Sequence, residues 1–178
     1  MTAAPDEAVD VVTIALGVDY GQAYLVDHSG EPVMPDALSD DEQTPSLGVI
    51  SVADGVALLT IATHYGEVRF DVQVTPVEPE PDLAGYEDIV EVGFESETGR
   101  VSLHEWGDEE VHTLPPLPAG PGWYRLRYHV HGLDEGRTDY YEDEAPDRYL
   151  LQIWPEEERE ARVVKSTSRR HRSWTGAD

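Results

Sequence analysis

The chain has 178 residues, no cysteine and a formal charge of −25, from 37 Asp and Glu against 12 Lys and Arg. Its length suits one domain with its own core, and 39% hydrophobic residues set it apart from wholly disordered chains. Lack of cysteine excludes disulfides, thiolate metal sites and a cysteine nucleophile, while the charge disfavours nucleic acid, whose phosphates would meet like charge.

Met1–Asp10 has no basic residue and no apolar core, so it does not read as a secretion signal. No apolar run approaches the roughly 20 residues that span a bilayer. The expectation is a soluble, cytoplasmic, bacterial-type protein with no membrane partner, disordered over residues 1–10.

From Val11 the pattern has period two, broken by Gly, Pro and Asp clusters. It predicts strands at Val11–Leu16, Gln22–Val26, Gly48–Val52, Val56–Thr63, Glu67–Val74, Asp88–Glu95, Val101–Glu105, Trp123–His131, Tyr149–Trp154 and Arg162–Lys165. Pro35–Asp41 offers one helical turn with Pro at its first position. Short strands with frequent turn signals predict an all-β, mostly antiparallel, jelly-roll-like β-sandwich, a single domain over 11–165. Residues 166–178 are expected to form a basic mobile tail.

Two strands declare their faces. Val68, Phe70, Val72 and Val74 should point inward, leaving Arg69, Asp71 and Gln73 outside. Tyr124, Leu126, Tyr128 and Val130 should do the same, leaving Trp123, Arg125, Arg127, His129 and His131 on a wet face. Ala53-Asp54-Gly55 and Glu97-Thr98-Gly99 read as tight hairpins.

Charge is distributed unevenly along the chain. Residues 1–124 hold Arg69 and Arg100 as their basic side chains, whereas 159–178 carry Arg159, Arg162, Lys165, Arg169, Arg170 and Arg172 against Glu160 and Asp178. Setting that segment's +4 aside from −25 leaves −29 on residues 1–158. Such self-repulsion costs stability unless salt, a metal or a cationic partner screens it. A halophilic or purely solubilising surface would also account for it.

Three constellations merit weighing. On a strand His129 and His131 share a face, and Glu135 follows, so they can be read as a divalent-metal set. The segment Gly122-x6-His129-x-His131-x3-Glu135 resembles the first metal motif of the cupins, but Glu142 stands where the trailing Gly belongs and no second motif follows. The run Asp139-Tyr140-Tyr141-Glu142-Asp143-Glu144 has oxygen ligands for calcium without EF-hand spacing. Trp106, flanked by Glu105 and by Asp108, Glu109 and Glu110, has the form of an aromatic anchor in an acidic rim. No catalytic serine elbow, phosphate-cradling loop or zinc-protease helix appears, and no cofactor is implied.

The order of features from Tyr20 to His131 resembles the competence protein J family. It comprises Tyr20-Gly-Gln-Ala-Tyr-Leu-Val26, Pro32-Val33-Met34, Gly48-Val-Ile-Ser-Val-Ala-Asp-Gly55, Val90-Glu-Val-Gly-Phe94, Gly99-Arg-Val-Ser-Leu103 and Gly122-Trp-Tyr-Arg-Leu126. The C-terminal pattern Tyr124–Tyr128 and Tyr149–Pro155 is also similar to uncharacterised bacterial proteins of this size. The family's members inhibit a companion DNA-entry nuclease, so the resemblance implies a non-enzymatic β-sandwich inhibitor or immunity protein. The expected partner is a basic protein, a nuclease or toxin, met through Trp106, Asp108, Glu109, Glu110, Asp139, Glu142, Asp143 and Glu144. The alternatives are a cupin-like enzyme using His129, His131 and Glu135, or a structural adaptor without catalysis.

Overall fold

A computed structural model describes residues 11–28, 47–140 and 143–176. Pro35–Asp41 and Glu142 lie outside the described residues, as do residues 1–10. The strands are β1 (Val11–Asp19), β2 (Gln22–Asp27), β3 (Ile50–Ala53), β4 (Val56–Thr60), β5 (Tyr65–Val74), β6 (Asp88–Ser96), β7 (Val101–Glu105), β8 (Val111–Thr113), β9 (Gly122–His131), β10 (Arg148–Pro155) and β11 (Arg162–Ser166), and a short helix α1 (Arg169–Thr175) follows. Among the described residues no helix is long and apolar enough to cross a membrane.

The all-β class expected from the sequence holds. All strands join one mixed sheet, ordered β11-β6-β9-β10-β5-β1-β2-β4-β3, with β7 beside β2 and β8 beyond it. Among the described residues every pairing is antiparallel except β5 with β10. β1 and β2 pair only at Asp19 and Gln22. Beyond that point β1 runs with β5 while β2 runs with β4 and β7, so the sheet curls over itself as a half-barrel. The core lies inside the curl.

Alternation explains that core. Leu16, Val68, Phe70, Leu126, Tyr128 and Tyr149 from one leaf meet Leu25, Leu59 and Leu103 from the other, all buried in one cluster. The rings of Phe70, Tyr128 and Tyr149 stack with centroids 5.8–6.1 Å apart. Tyr128 donates its hydroxyl to the Thr60 carbonyl at 2.9 Å, and the Ala62 N–H donates to the Tyr149 oxygen at 2.7 Å. These bonds satisfy polar groups whose burial would otherwise cost about 1–3 kcal/mol each.

Three expectations change. The second face of β9 is dry: Arg125, Arg127 and His129 are buried. Segments 76–87 and 156–162 cover it, supplying the Pro79, Arg159 and Glu160 carbonyls to the arginines. The charge is matched by Glu91 of β6, fully buried and ion-paired with Arg127 (2.8 Å), Arg162 (2.9 Å), Arg125 (3.5 Å) and Arg159 (3.5 Å). Burial raises the Glu91 pKa, but hydrogen bonds from Arg162 and Arg127 outweigh it and hold the carboxyl below its ordinary range.

Glu97-Thr98-Gly99 is a corner, since β6 pairs with β9 and β11 while β7 pairs with β2 and β8. The buried Asp27 carboxylate fastens it by accepting from Ser96 Oγ and from Thr98 Oγ1 (3.0 Å). Asp54-Gly55 does close the β3–β4 hairpin, with Gly55 at φ 73°.

In place of an aperiodic tail, described residues 166–176 hold α1. Ser168 Oγ accepts from the His171 N–H, and Asp134 accepts from the N–H groups of Arg169 and Arg170, both at 2.9 Å. Buried His171 bridges Ser166 Oγ (2.7 Å) and the Leu47 carbonyl (2.8 Å). The basic segment thus folds back onto the acidic body.

Candidate functional site

The outer face of β1 underlies an open concavity. Its inward residues are Ile14, Leu16 and Val18, while Thr13, Ala15 and Gly17 leave the outward face nearly bare. Beside the outward Glu67 and Arg69 of β5 they floor an open groove of about 780 Å³. Its walls come from the β7–β8 turn and the loop before β10, which add Glu105, Glu109, Tyr140, Asp143 and Glu144. Arg69 is the one basic side chain among the described lining residues, and it is paired with Asp71 at 3.1 Å.

Two acidic segments far apart in sequence therefore converge, and each is held at its base. The 106–110 turn is closed by the Glu105 N–H donating to the Glu110 carbonyl at 3.0 Å. Gly107 and Asp108 take φ of 69° and 55°, and the His104 Nδ1–H meets the Asp108 carboxylate at 2.7 Å. The 135–147 loop is pinned where the Arg137 carbonyl accepts from the His64 N–H (2.7 Å) and Asp147 accepts from the Thr63 N–H (2.9 Å). Both loops are presented on a fixed frame.

Aromatic side chains rim the groove. Trp106 is 39% exposed, which places it at the surface. Its ring lies 4.7 Å from Tyr20, which lies 5.5 Å from groove-lining Tyr65. Tyr20 and Gly21 form the β1–β2 hairpin turn with φ of 58° and 65°, the geometry of a type I′ turn. A tyrosine seldom adopts positive φ, and such strain collects at functional sites. The turn lifts the phenol toward Trp106.

Among the sequence candidates, Glu109, Asp143 and Glu144 share the groove and Trp106 stands at its rim. Asp108 turns to His104, Glu110 sits beside His112, and Asp139 is exposed just ahead of Tyr140. Glu142 lies outside the described residues. Sequence reading missed Asp19, Tyr20, Tyr65 and Glu67 as groove residues and named Glu105 only as a flank of Trp106. The small outward residues of β1 were the available signal.

His129 and His131 do share a strand face, but they do different work. His129 is buried, accepts from the Asp82 N–H at Nε2 (3.2 Å) and donates Nδ1–H to the Leu150 carbonyl (3.2 Å). Burial pulls its pKa down to about 4, and both ring nitrogens are engaged. His131 pairs with Glu87 at 2.8 Å, while exposed Glu135 lies by the start of α1. The three do not assemble as a ligand set.

Ser102, His104 and Asp108 form a hydrogen-bonded relay of 2.8 and 2.7 Å. Ser102 is fully buried while Asp108 is open to solvent, the reverse of a nucleophile presented to substrate. The relay anchors the turn.

No family model matches the chain, and no curated protein matches it. Among solved structures it is similar to ComJ from Bacillus subtilis, the inhibitor of the DNA-degrading activity of NucA. The TM-score is 0.59 at 15% identity, over 83% of this chain and 98% of that one. The chain has the ComJ fold. The same fold appears in the product of crocagin biosynthetic gene J, with a TM-score of 0.56 at 21% identity over 84% and 99% of the two chains. The resemblance read from Tyr20 to His131 extends at this level across most of the molecule.

Proposed function

We propose that the chain is a non-catalytic cytoplasmic inhibitor that seats its acidic groove and aromatic rim against the basic, DNA-binding surface of a nuclease. The observation that carries this reading is the convergence of Glu109, Asp143 and Glu144 with Asp19, Glu67 and Glu105 on one groove beside Tyr20, Tyr65 and Trp106. The ComJ fold supports it. A nuclease groove is built for a polyanion carrying one charge per about 1.7 Å of axis, and a carboxylate-studded sheet offers a competing polyanion. Complementary charge of this kind raises association toward about 10⁸–10⁹ M⁻¹s⁻¹ at low salt, while the exposed rings supply the apolar anchors.

The test is affinity capture from the source lysate at low salt, then a DNA-degradation assay on the captured protein. The expected result is a basic nuclease, released by moderate salt, whose cleavage stops when stoichiometric chain is added. Combined Glu109→Lys, Asp143→Lys and Glu144→Lys changes should abolish both capture and inhibition. Capture that resists salt, or inhibition untouched by the triple reversal, would overturn the proposal.

A further inference from the structure

The β7–β8 hairpin carries a second arrangement at the edge of the groove, sharing Glu105 with it. Glu105 and Glu110 flank the turn, and the register that pairs Leu103 with His112 and His104 with Val111 sets Glu105 opposite Glu110. His112 lies two residues beyond Glu110, so the pleat turns all three side chains to one face. Their nearest donor atoms lie within 4.8 Å of one another. That is one nitrogen and two carboxylate oxygens, converging by strand geometry.

The carboxylate at the centre is fixed through one oxygen and has the other to offer. Glu105 is only 8% exposed. Its Oε1 accepts from the Gly17 N–H (2.8 Å) and faces His112 Nε2 (3.2 Å). Its Oε2 accepts no hydrogen bond among the described residues, and His112 is the ion partner of Glu105. Glu105 also lines the open groove, so an ion from solvent can reach its second oxygen. The Gly17 contact also aims it: a Cβ at position 17 would stand 2.9 Å from Oε2, and the N–H bond fixes the carboxyl as outer-shell donors fix metal ligands.

We propose that Glu105, Glu110 and His112 bind one divalent transition-metal ion of the zinc class. The ion replaces the proton shared between His112 Nε2 and Glu105 Oε1, and rotation of the exposed Glu110 brings the third oxygen to about 2.0–2.2 Å. An imidazole with two carboxylates selects zinc, cobalt or nickel over calcium and magnesium, which take mainly oxygen donors. This site does not depend on the nuclease reading. Ligation would tie together the two residues that bracket Trp106 and Glu109.

The test titrates the chelator-treated full chain with zinc by calorimetry at 0.3 M salt, which suppresses diffuse binding to so acidic a protein, with cobalt absorption as the second readout. One ion per chain is expected, with cobalt bands of a four-coordinate site. Glu110→Gln and His112→Ala should each weaken binding at least about tenfold, as disturbance of even outer-shell groups does, while Glu157→Gln leaves it unchanged. Because Glu110 is exposed, its variant separates ligand loss from misfolding. Absence of stoichiometric zinc, binding unaffected by Glu110→Gln, or equal affinity for magnesium would overturn the proposal, whatever the outcome with a nuclease.

Discussion

Acid should unfold this protein partly through one imidazole. His129 is buried against Asp82, Leu150 and the Tyr86 ring, whose centroid lies 5.2 Å away. Its folded pKa is about 4, lowered chiefly by burial and further by neighbouring Arg127, against about 6.5 in an unfolded chain. Between these values the unfolded state holds more protons, so stability rises with pH there and falls as pH drops from 6.5 toward 4. A 2.5-unit gap at 1.36 kcal/mol per unit gives about 3 kcal/mol lost by pH 4, with a steepest slope near 1.4 kcal/mol per pH unit. Protonation of surface carboxylates relieves self-repulsion and acts in the opposite sense, so the comparison must be internal. Urea unfolding of the native chain and His129→Gln between pH 7.5 and 4 isolates the contribution. The variant should be weaker at pH 7 yet lose about 3 kcal/mol less on acidification. An NMR titration placing the His129 pKa near 6.5, or parallel pH profiles for the two proteins, would refute the reasoning.

Two further outcomes follow from buried charge and from capping. Glu91→Gln keeps the shape but leaves Arg125 and Arg127, each 1% exposed, short of a countercharge. The expected loss is about 3–5 kcal/mol in urea unfolding, and a loss under 1 kcal/mol would show that Glu78 and Glu156 suffice. Ser168→Ala removes the acceptor for the His171 N–H and should cost about 1 kcal/mol. Hydrogen exchange should quicken across Arg169–Thr175 alone, and unchanged protection there would contradict the cap.

Much of the fold was legible because alternation is a local signal. Ten of the strands were placed within a few residues, and the inward sets of β5 and β9 are those observed. β8 was missed because three residues, Val111–Thr113, are too few to show a period. The supposed wet face of β9 misled for a different reason. Arg125, Arg127 and His129 look like solvent-facing residues until β6 is known to lie alongside, setting Glu91 opposite Arg127. Pairing register is a long-range property that composition does not carry. Helix α1 escaped because its one buried side chain is His171, which leaves no apolar stripe. The groove was half visible: its acidic runs stand out in the sequence, while their meeting across β1 depends on the curl.

The one parallel pairing among the described residues, β5 with β10, has a consequence for synthesis. β5 pairs with β1 on one edge, and its other edge is completed by β10, made much later, with Arg69 meeting Arg148. At about 5–20 residues per second the intervening roughly 80 residues take about 4–16 s to translate. A β5 that had already folded against β1 would keep an open edge throughout that interval, the kind of template on which chains aggregate. The heavy negative charge emerging in the same stretch opposes contact between such edges, because like charges repel.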